Sequence, residues 1–418
     1  MHILVLCPHF APDSAPTGVV MSAIVDGLVE RGHRLHVVTA LPWYEHHAVD
    51  PKWRGRFARH EDTDWGRISR VHPFPTDKRN LRARALGFAG FTGLASIQAV
   101  LTRPRPDVVL AMSPPLPIGL AGLAVARARR APFVFNIQDV FPDVAIELGL
   151  LTDRRVIKAA SWAERFTYGH SDAVTVLSDD LRDNVETKLA QRHKHHRTRV
   201  EVIPNFVDTK RITPMPHDNA YRREHGLVGK IVVMYAGNVG LSQSLELVIE
   251  AARAMRDRDD VAFVINGGGS ALSGLRDAAI ELPNVVFVPY QPPERLCEVL
   301  AAGDVHVVPL KRGLAKASVP SKLYSVLAAG RPVLASVDPD TEVDRTIRRA
   351  GAGLCVPPDN AARFIGALQS LIDSPETRAT MGRAGRQFVE GWVSPQAVAS
   401  QYDDLLTAIS DARRRPQW

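Results

Sequence analysis

Residues 200–208 read Val200-Glu201-Val202-Ile203-Pro204-Asn205-Phe206-Val207-Asp208, and the fold turns on how this stretch ends. A short apolar run stops at a proline, and the chain then turns polar, with Pro214 and Pro216, as far as residue 229. A polar stretch broken by prolines reads as a linker. Upstream, apolar runs fall at Ile3–Cys7, Leu35–Thr39, Ile68–His72, Val108–Met112, Phe133–Ile137, Ala173–Leu177 and Val200–Ile203. Stretches with helical spacing separate most of them, such as Val19–Glu30, Pro117–Arg129 and Val156–Tyr168. Downstream the alternation restarts at Ile231–Ala236, Val261–Ile265, Val285–Val288, Val305–Pro309, Val333–Ser336 and Gly353–Val356.

Continuous Val/Ile strands separated by helices mean parallel sheets covered on both faces. The expected fold is therefore α/β, with two Rossmann-like, doubly wound domains facing a central cleft. Their expected bounds are residues 1–205 and 230–394, joined by a linker at 206–229. The tail, 395–418, reads as a helix that starts at Pro395 and packs back towards the first domain. Ligands of such sheets gather at the carboxyl ends of the strands, which makes the cleft the expected active site.

Composition narrows the class. The chain has 418 residues, 45% hydrophobic and 23% charged, which excludes disorder, collagen and disulfide-knot classes. A net charge of +7 suits an anionic substrate or a lipid surface, without the concentrated basic face that nucleic acid requires. Cys7, Cys297 and Cys355 are too sparse for a disulfide frame or a zinc site and read as buried thiols of a reducing compartment. The chain opens in a strand pattern without the features of a secretion signal, and no apolar run is long enough to span a membrane. A cytoplasmic location is expected.

Several motifs fail on inspection. Gly267-Gly268-Gly269 follows a strand, but Leu272 leaves the dinucleotide fingerprint incomplete, and no Walker sequence exists. Asp62-Thr63-Asp64 and Asp338-Pro339-Asp340 satisfy a metal-holding Asp-x-Asp pattern, yet each is a common triplet and the first reads as a polar loop. The run with His193, His195 and His196 reads as solvated surface. No metal or cofactor is expected.

Three stretches carry chemistry. Thr17-Gly18 opens a helix after the first strand, where backbone N–H groups meet a phosphate or sugar oxygen, or where a tight loop needs a small residue. Ser318-Val319-Pro320-Ser321-Lys322 opens a second helix. Ser321 caps it, while Lys322 and the upstream Lys316 add cations that can neutralise a diphosphate. The plain alternative is a capped surface helix. Asn136-Ile137-Gln138-Asp139 runs a buried strand into a carboxylate, where α/β enzymes place catalytic groups; a cap or loop carboxylate is the bland reading.

Taken together, these features resemble GT-B glycosyltransferases of the large retaining family four. The resemblance is carried by Gly18, by Gly32-His33, by Ser171-Asp172-Ala173-Val174 and by the stretch Val202–Asp208. It continues through Tyr235-Ala236-Gly237-Asn238, Ala302-Gly303-Asp304-Val305-His306-Val307-Val308-Pro309 and Ala328-Ala329-Gly330-Arg331-Pro332-Val333, in family order over nearly the whole chain. Trp43-Tyr44, Gly66–Val71, Asp139-Val140-Phe141-Pro142-Asp143 and Val319-Pro320-Ser321-Lys322 are similar to the branch that builds bacterial capsule, colanic acid and O-antigen, fucosamine transferases included. The family's Glu-x7-Glu pair falls on Ala317 and Ser325, and its diphosphate-gripping arginine and lysine fall on Asn238 and Gln243. All four charges are missing.

The resemblance implies transfer of a sugar, with retention, from a nucleotide-diphosphate donor (UDP first) to a saccharide or polyprenyl-diphosphate-linked acceptor in cell-surface polysaccharide synthesis. The second domain is expected to hold the nucleotide and the first the acceptor. Asp139 and Lys322 are the expected catalytic groups. Gly18, Lys316, Ser321 and Lys322 are expected to bind the diphosphate, and Asn238, Tyr290 and Ser325 the nucleoside. A GT-B nucleotide-sugar epimerase and a non-catalytic two-domain binding protein are the competing readings. Lys78, Arg79, Arg82 and Arg84 lead into an uncharged stretch with Leu81, Leu86, Phe88, Phe91, Leu94, Ile97 and Leu101. Residues 78–101 thus read either as an ordinary buried helix or as a patch for an anionic membrane surface, on the inner face of the plasma membrane.

Overall fold

A computed structural model describes the chain except residues 45–47, 77–80, 192–197, 315–321, 392–393 and 415–418, and except the side chains of 81, 82, 84, 85 and 414. The strands, in chain order, are β1 (His2–Leu6), β2 (Arg34–Ala40), β3 (Ala58–Thr63), β4 (Gly66–Val71), β5 (Val108–Ser113), β6 (Phe133–Ile137), β7 (Ala173–Val176) and β8 (Arg199–Val202). These form one sheet, in the order β3-β4-β2-β1-β5-β6-β7-β8. A second sheet holds β9 (Ile231–Ala236), β10 (Val261–Asn266), β11 (Val285–Val288), β12 (Val305–Pro309), β13 (Val333–Ser336) and β14 (Gly353–Val356), ordered β11-β10-β9-β12-β13-β14. The fold class read from the sequence is the one observed. Two compact units result: Met1–Asn205 with Pro395–Trp418, and Phe206–Ser394.

All pairings are parallel except β3 with β4. The strands β1, β5 and β6 are buried along their whole length or nearly so, as helices on both faces require. In the second unit, Val233, Phe263, Ile265 and Leu334 pack with Val248, Leu368 and Leu371 on one face of the sheet.

Two sequence readings need correction. The antiparallel edge strand β3 (Ala58-Arg59-His60-Glu61-Asp62-Thr63) escapes a hydrophobicity search because none of its residues is buried. Asp62 therefore lies in a strand, not a polar loop, and its carboxylate accepts from Arg67 Nε across the hairpin at 2.6 Å. Residues 206–229 are likewise more than a linker. They contain the helix Ala220–Glu224, whose fully buried Tyr221 donates to Asn266 Oδ1 at 2.8 Å. The adjacent Arg222 donates to the Ala302 carbonyl, the Lys230 carbonyl and the Asp304 carboxylate, so this stretch is core of the second unit.

The last helix, Pro395–Arg414, completes the first unit. It lies so close to the helix Pro16–Glu30 that a Cβ on Gly27 would come within 2.3 Å of the Ala399 Cβ. Asp403 pairs with His33 Nε2 at 2.7 Å. Tyr402 is fully buried, and its hydroxyl accepts from Asn136 Nδ2 at 2.7 Å at the end of β6. The same Asn136 amide donates to Thr175 Oγ1 on β7 at 2.9 Å. Removing the hydroxyl leaves a buried amide with one partner fewer, which costs about 1–3 kcal/mol. Tyr402→Phe should lose that much stability in urea unfolding while keeping the native circular dichroism spectrum.

Candidate active site

In the second unit the strand ends converge on Lys322. Strand β9 finishes at Ala236, and Gly237 follows with φ +142°. A Cβ on Gly267, also at positive φ, would sit 2.0 Å from the Gly237 carbonyl, so the loops after β9 and β10 touch backbone to backbone. Only glycine permits that approach. Lys322 opens the helix Lys322–Ala328, and its ammonium donates to Tyr235 Oη at 2.6 Å while lying 4.0 Å from the ring centroid. Tyr235 Oη in turn donates to the Asn238 carbonyl at 2.5 Å. Lys322, Tyr235 and Asn238 thus form one hydrogen-bonded corner.

Burial pushes the Lys322 ammonium from its ordinary 10.5 down to about 7. Near neutral pH the corner is divided between charged and neutral lysine, and an anion beside it would favour the charged form. Around it, the two residues standing in the family's charged places are neutral. Asn238 is exposed, and Gln243 is spent within its own loop, accepting from Gly240 N at 3.1 Å and donating to Ser242 Oγ at 2.7 Å. Tyr290, 54% exposed beyond β11, donates to the Gly268 carbonyl at 3.1 Å and presents a ring at the edge of the sheet. Ser325 is half-buried, three residues after Lys322 on the same helix face. Lys316 and Ser321 lie outside the described residues.

In the first unit, Asp139 is half-buried just past the end of β6. Its neighbour Gln138 is fixed in a buried amide chain, donating to Asn136 Oδ1 at 2.9 Å and accepting from Asn205 Nδ2 at 3.0 Å. That chain holds the backbone from which Asp139 projects. Gly18 sits in the first turn of Pro16–Glu30, where a Cβ would meet His9 Cβ at 3.0 Å and the His9 carbonyl carbon at 3.2 Å. The close approach explains the glycine by itself. Strand order separates His9, past β1, from Asp139, past β6, by one intervening strand, about 10 Å across the sheet. In the acidic triplets, Asp338 accepts from Gly313 N at 2.7 Å, as Asp62 accepts from Arg67.

Sequence reasoning missed three partners here: Tyr235 under Lys322, the Asn136–Gln138–Asn205 chain, and Asp13 beside His9. The Tyr235-Ala236-Gly237-Asn238 motif signalled the first only as a pattern. Nothing in the sequence signalled the other two.

Two family models match the chain, the glycosyl transferase 4-like domain over residues 17–205 and the glycosyl transferases group 1 over residues 218–388. The chain belongs to this glycosyltransferase family. Its reaction moves a sugar from a nucleotide-sugar donor to a saccharide acceptor. The chain is 28% identical over 416 residues to WcaI, a colanic acid biosynthesis glycosyl transferase of Escherichia coli, covering 96% of this chain and 98% of that one. It is 28% identical over 305 residues to WbjE, a glycosyltransferase of Pseudomonas aeruginosa, covering 72% and 74%. Among solved structures, a sucrose-phosphate synthase from Thermosynechococcus elongatus shares the GT-B fold with a TM-score of 0.77 at 17% identity, over 99% of this chain and 100% of that one.

The shifted lysine makes a test with a definite sign. Lys322 is charged below about pH 7 and loses its charge above it, so affinity for free UDP should fall as pH rises from 6 to 8. Calorimetry in buffers of different ionisation enthalpy should register proton uptake on binding near pH 8. Lys322→Arg should flatten the pH dependence. Lys322→Ala should remove it and lower turnover by roughly 10²-fold, as loss of a transition-state charge donor does.

Proposed function

We propose that this glycosyltransferase uses a UDP-sugar and extends a saccharide carried on a polyprenyl diphosphate, retaining the anomeric configuration, without a metal. The observation that carries this reading is the Lys322–Tyr235–Asn238 corner, a protonatable cation set where the sheet of the second unit ends. A lysine there can take up the charge of a departing diphosphate. Tyr290 offers a ring to the base, and Ser325, with Lys316 and Ser321 as sequence candidates beside it, completes the donor set. Asp139 and Gly18 belong to the acceptor-binding unit, Asp139 orienting the acceptor or stabilising the oxocarbenium-like sugar, Gly18 offering backbone N–H to the diphosphate. The full-length likeness to a colanic acid transferase supports a role in cell-surface polysaccharide synthesis. A thermal-shift panel of UDP- and GDP-sugars should single out a UDP-sugar, which at 100 times its dissociation constant adds ~2.7 kcal/mol. Transfer should persist in EDTA; activity lost in EDTA and restored only by Mg²⁺ or Mn²⁺ would overturn the metal-free mechanism.

The helix Leu81–Val100 supports placement at an anionic lipid surface. From Ala85 to Thr102 the chain has no charged residue. Phe91, Ala95 and Ala99 pack inward, so Phe91 is not part of the exposed patch expected from the sequence, and Phe88 and Leu94 are half-buried. From Leu86 to Leu101, the exposed described residues are nevertheless apolar, with Leu86 74%, Ile97 57% and Leu101 68% exposed and Ala89 and Gly93 between them. Lys78 and Arg79 lie outside the described residues, as do the side chains of Arg82 and Arg84, but all four precede this face in sequence. Cations near such a surface contribute ~1 kcal/mol each. Among the described residues no helix is long and apolar enough to cross a membrane. The protein should co-sediment with vesicles containing phosphatidylglycerol, less so at high salt, and Leu86→Ser with Ile97→Ser should weaken this while leaving UDP affinity unchanged. Equal binding to neutral vesicles, or none to either, would overturn the lipid reading.

A further inference from the structure

The loop between β1 and the helix Pro16–Glu30 contains a second set of polar groups, remote in sequence from the donor corner. His9 Nδ1 and Asp13 Oδ2 are 2.7 Å apart, and Asp13 is nearly inaccessible to solvent. The other carboxylate oxygen of Asp13 accepts from Tyr44 N at 3.2 Å, so both oxygens are engaged. A carboxylate on Nδ1 holds the proton at that nitrogen and leaves Nε2 as a hydrogen-bond acceptor. No hydrogen bond to Nε2 is made among the described residues. The imidazole is not buried in apolar packing either: Trp43 stacks on it with centroids 5.5 Å apart at 25°, and Tyr44 meets it edge-on at 5.5 Å. All three rings are half-buried.

The surrounding structure fixes this arrangement. Strands β1 and β2 are adjacent and parallel, so His9 and Trp43–Tyr44, which follow them, emerge side by side at the sheet edge where ligands bind. Arg70, buried on β4, donates to the Ala11 carbonyl at 2.5 Å and to Glu61 Oε1 at 2.9 Å, tying down the loop midway between His9 and Asp13. Gly18 closes the other side, since any side chain there would displace His9.

We propose that His9, held by Asp13 and flanked by Trp43 and Tyr44, hydrogen-bonds the attacking hydroxyl of the saccharide acceptor. The inference rests on the reading of the first unit as acceptor-binding and adds the residues that do the binding. Nε2 accepts the hydrogen bond of the acceptor hydroxyl and aims its oxygen at the anomeric carbon. As the new C–O bond forms, the bond from that carbon to the diphosphate breaks, the diphosphate departs with that electron pair, and the hydroxyl proton passes to His9 Nε2. The aromatic rings meet the C–H face of the acceptor sugar. His9 is therefore a catalytic residue, and Asp13 a positioning residue acting through it.

The test uses the full chain with four acceptors, the citronellyl diphosphates of glucose, galactose, N-acetylglucosamine and N-acetylgalactosamine, together with a panel of UDP-sugars. His9→Phe should lower kcat/KM for the acceptor by roughly 10²-fold or more. His9→Gln, whose amide oxygen reaches close to the Nε2 position, should retain an intermediate rate, and Asp13→Asn should resemble His9→Phe. UDP affinity by calorimetry should stay within twofold throughout. Acceptor kinetics within threefold of wild type in His9→Phe would overturn the proposal. So would a parallel loss of UDP affinity, which would move His9 to the donor. Should His9→Phe fail to fold, the His9→Gln and Asp13→Asn pair decides the same question. Nitrogen-15 spectra of the Trp43 indole and the His9 ring supply a reading independent of turnover: shifts with at least one acceptor are expected, and none with any of the four overturns the subsite. That last result, with UDP still bound, would leave the donor reading standing.

Discussion

Parallel pairing is the constraint from which the rest follows. A parallel strand cannot return through a tight turn, so each connection crosses the sheet through a helix or long loop, and every strand delivers its carboxyl end to the same edge. In the first unit that edge receives His9 after β1, Trp43 after β2 and Asp139 after β6. In the second it receives Asn238 after β9, the triple glycine after β10 and Tyr290 after β11. Residues more than a hundred positions apart share an edge because the hydrogen-bond register leaves them nowhere else to go. The lone antiparallel strand, β3, sits at the rim and contributes a brace through Glu61 and Arg70.

The corner around Lys322 carries little standing charge. Where relatives place fixed cations, this chain has Asn238 and Gln243, and the second is spent on its own loop. The remaining Lys322 is desolvated to a pKa of about 7 and rests against an aromatic ring. With that pKa the lysine stands between its charged and neutral forms near neutral pH.

Most of the architecture was legible because Val/Ile runs separated by helical patterns admit few other folds. What escaped was hidden for specific reasons. β3 buries none of its residues, and Tyr221 and Arg222 lie in a polar, proline-flanked stretch whose burial depends on Asn266 and Asp304, distant in sequence. In the site, strand-end position pointed to Asp139, the cationic helix start to Lys322, and the family resemblance to Asn238 and Tyr290. Hydrogen-bond partners are tertiary facts, so Tyr235 beneath Lys322 and Asp13 beside His9 could not be read. One family signature proves to be about folding: Asp304 clamps Arg222 and Val232 N, and His306, its pKa lowered by burial to about 4, bonds the Leu300 carbonyl.

The final helix gives the first unit an unusual biography. When residue 205 leaves the ribosome, every strand of the first sheet exists, but the helix that covers Gly27 and satisfies Asn136 has not been made. Translation at 5–20 residues per second imposes a wait of roughly 10–40 s before that helix arrives. Through that interval the nascent unit carries an open groove, and the Asn136 amide lacks one of its two partners, which is the kind of surface chaperones hold. A stop codon just after residue 394 would accordingly damage the beginning of the protein, not its end.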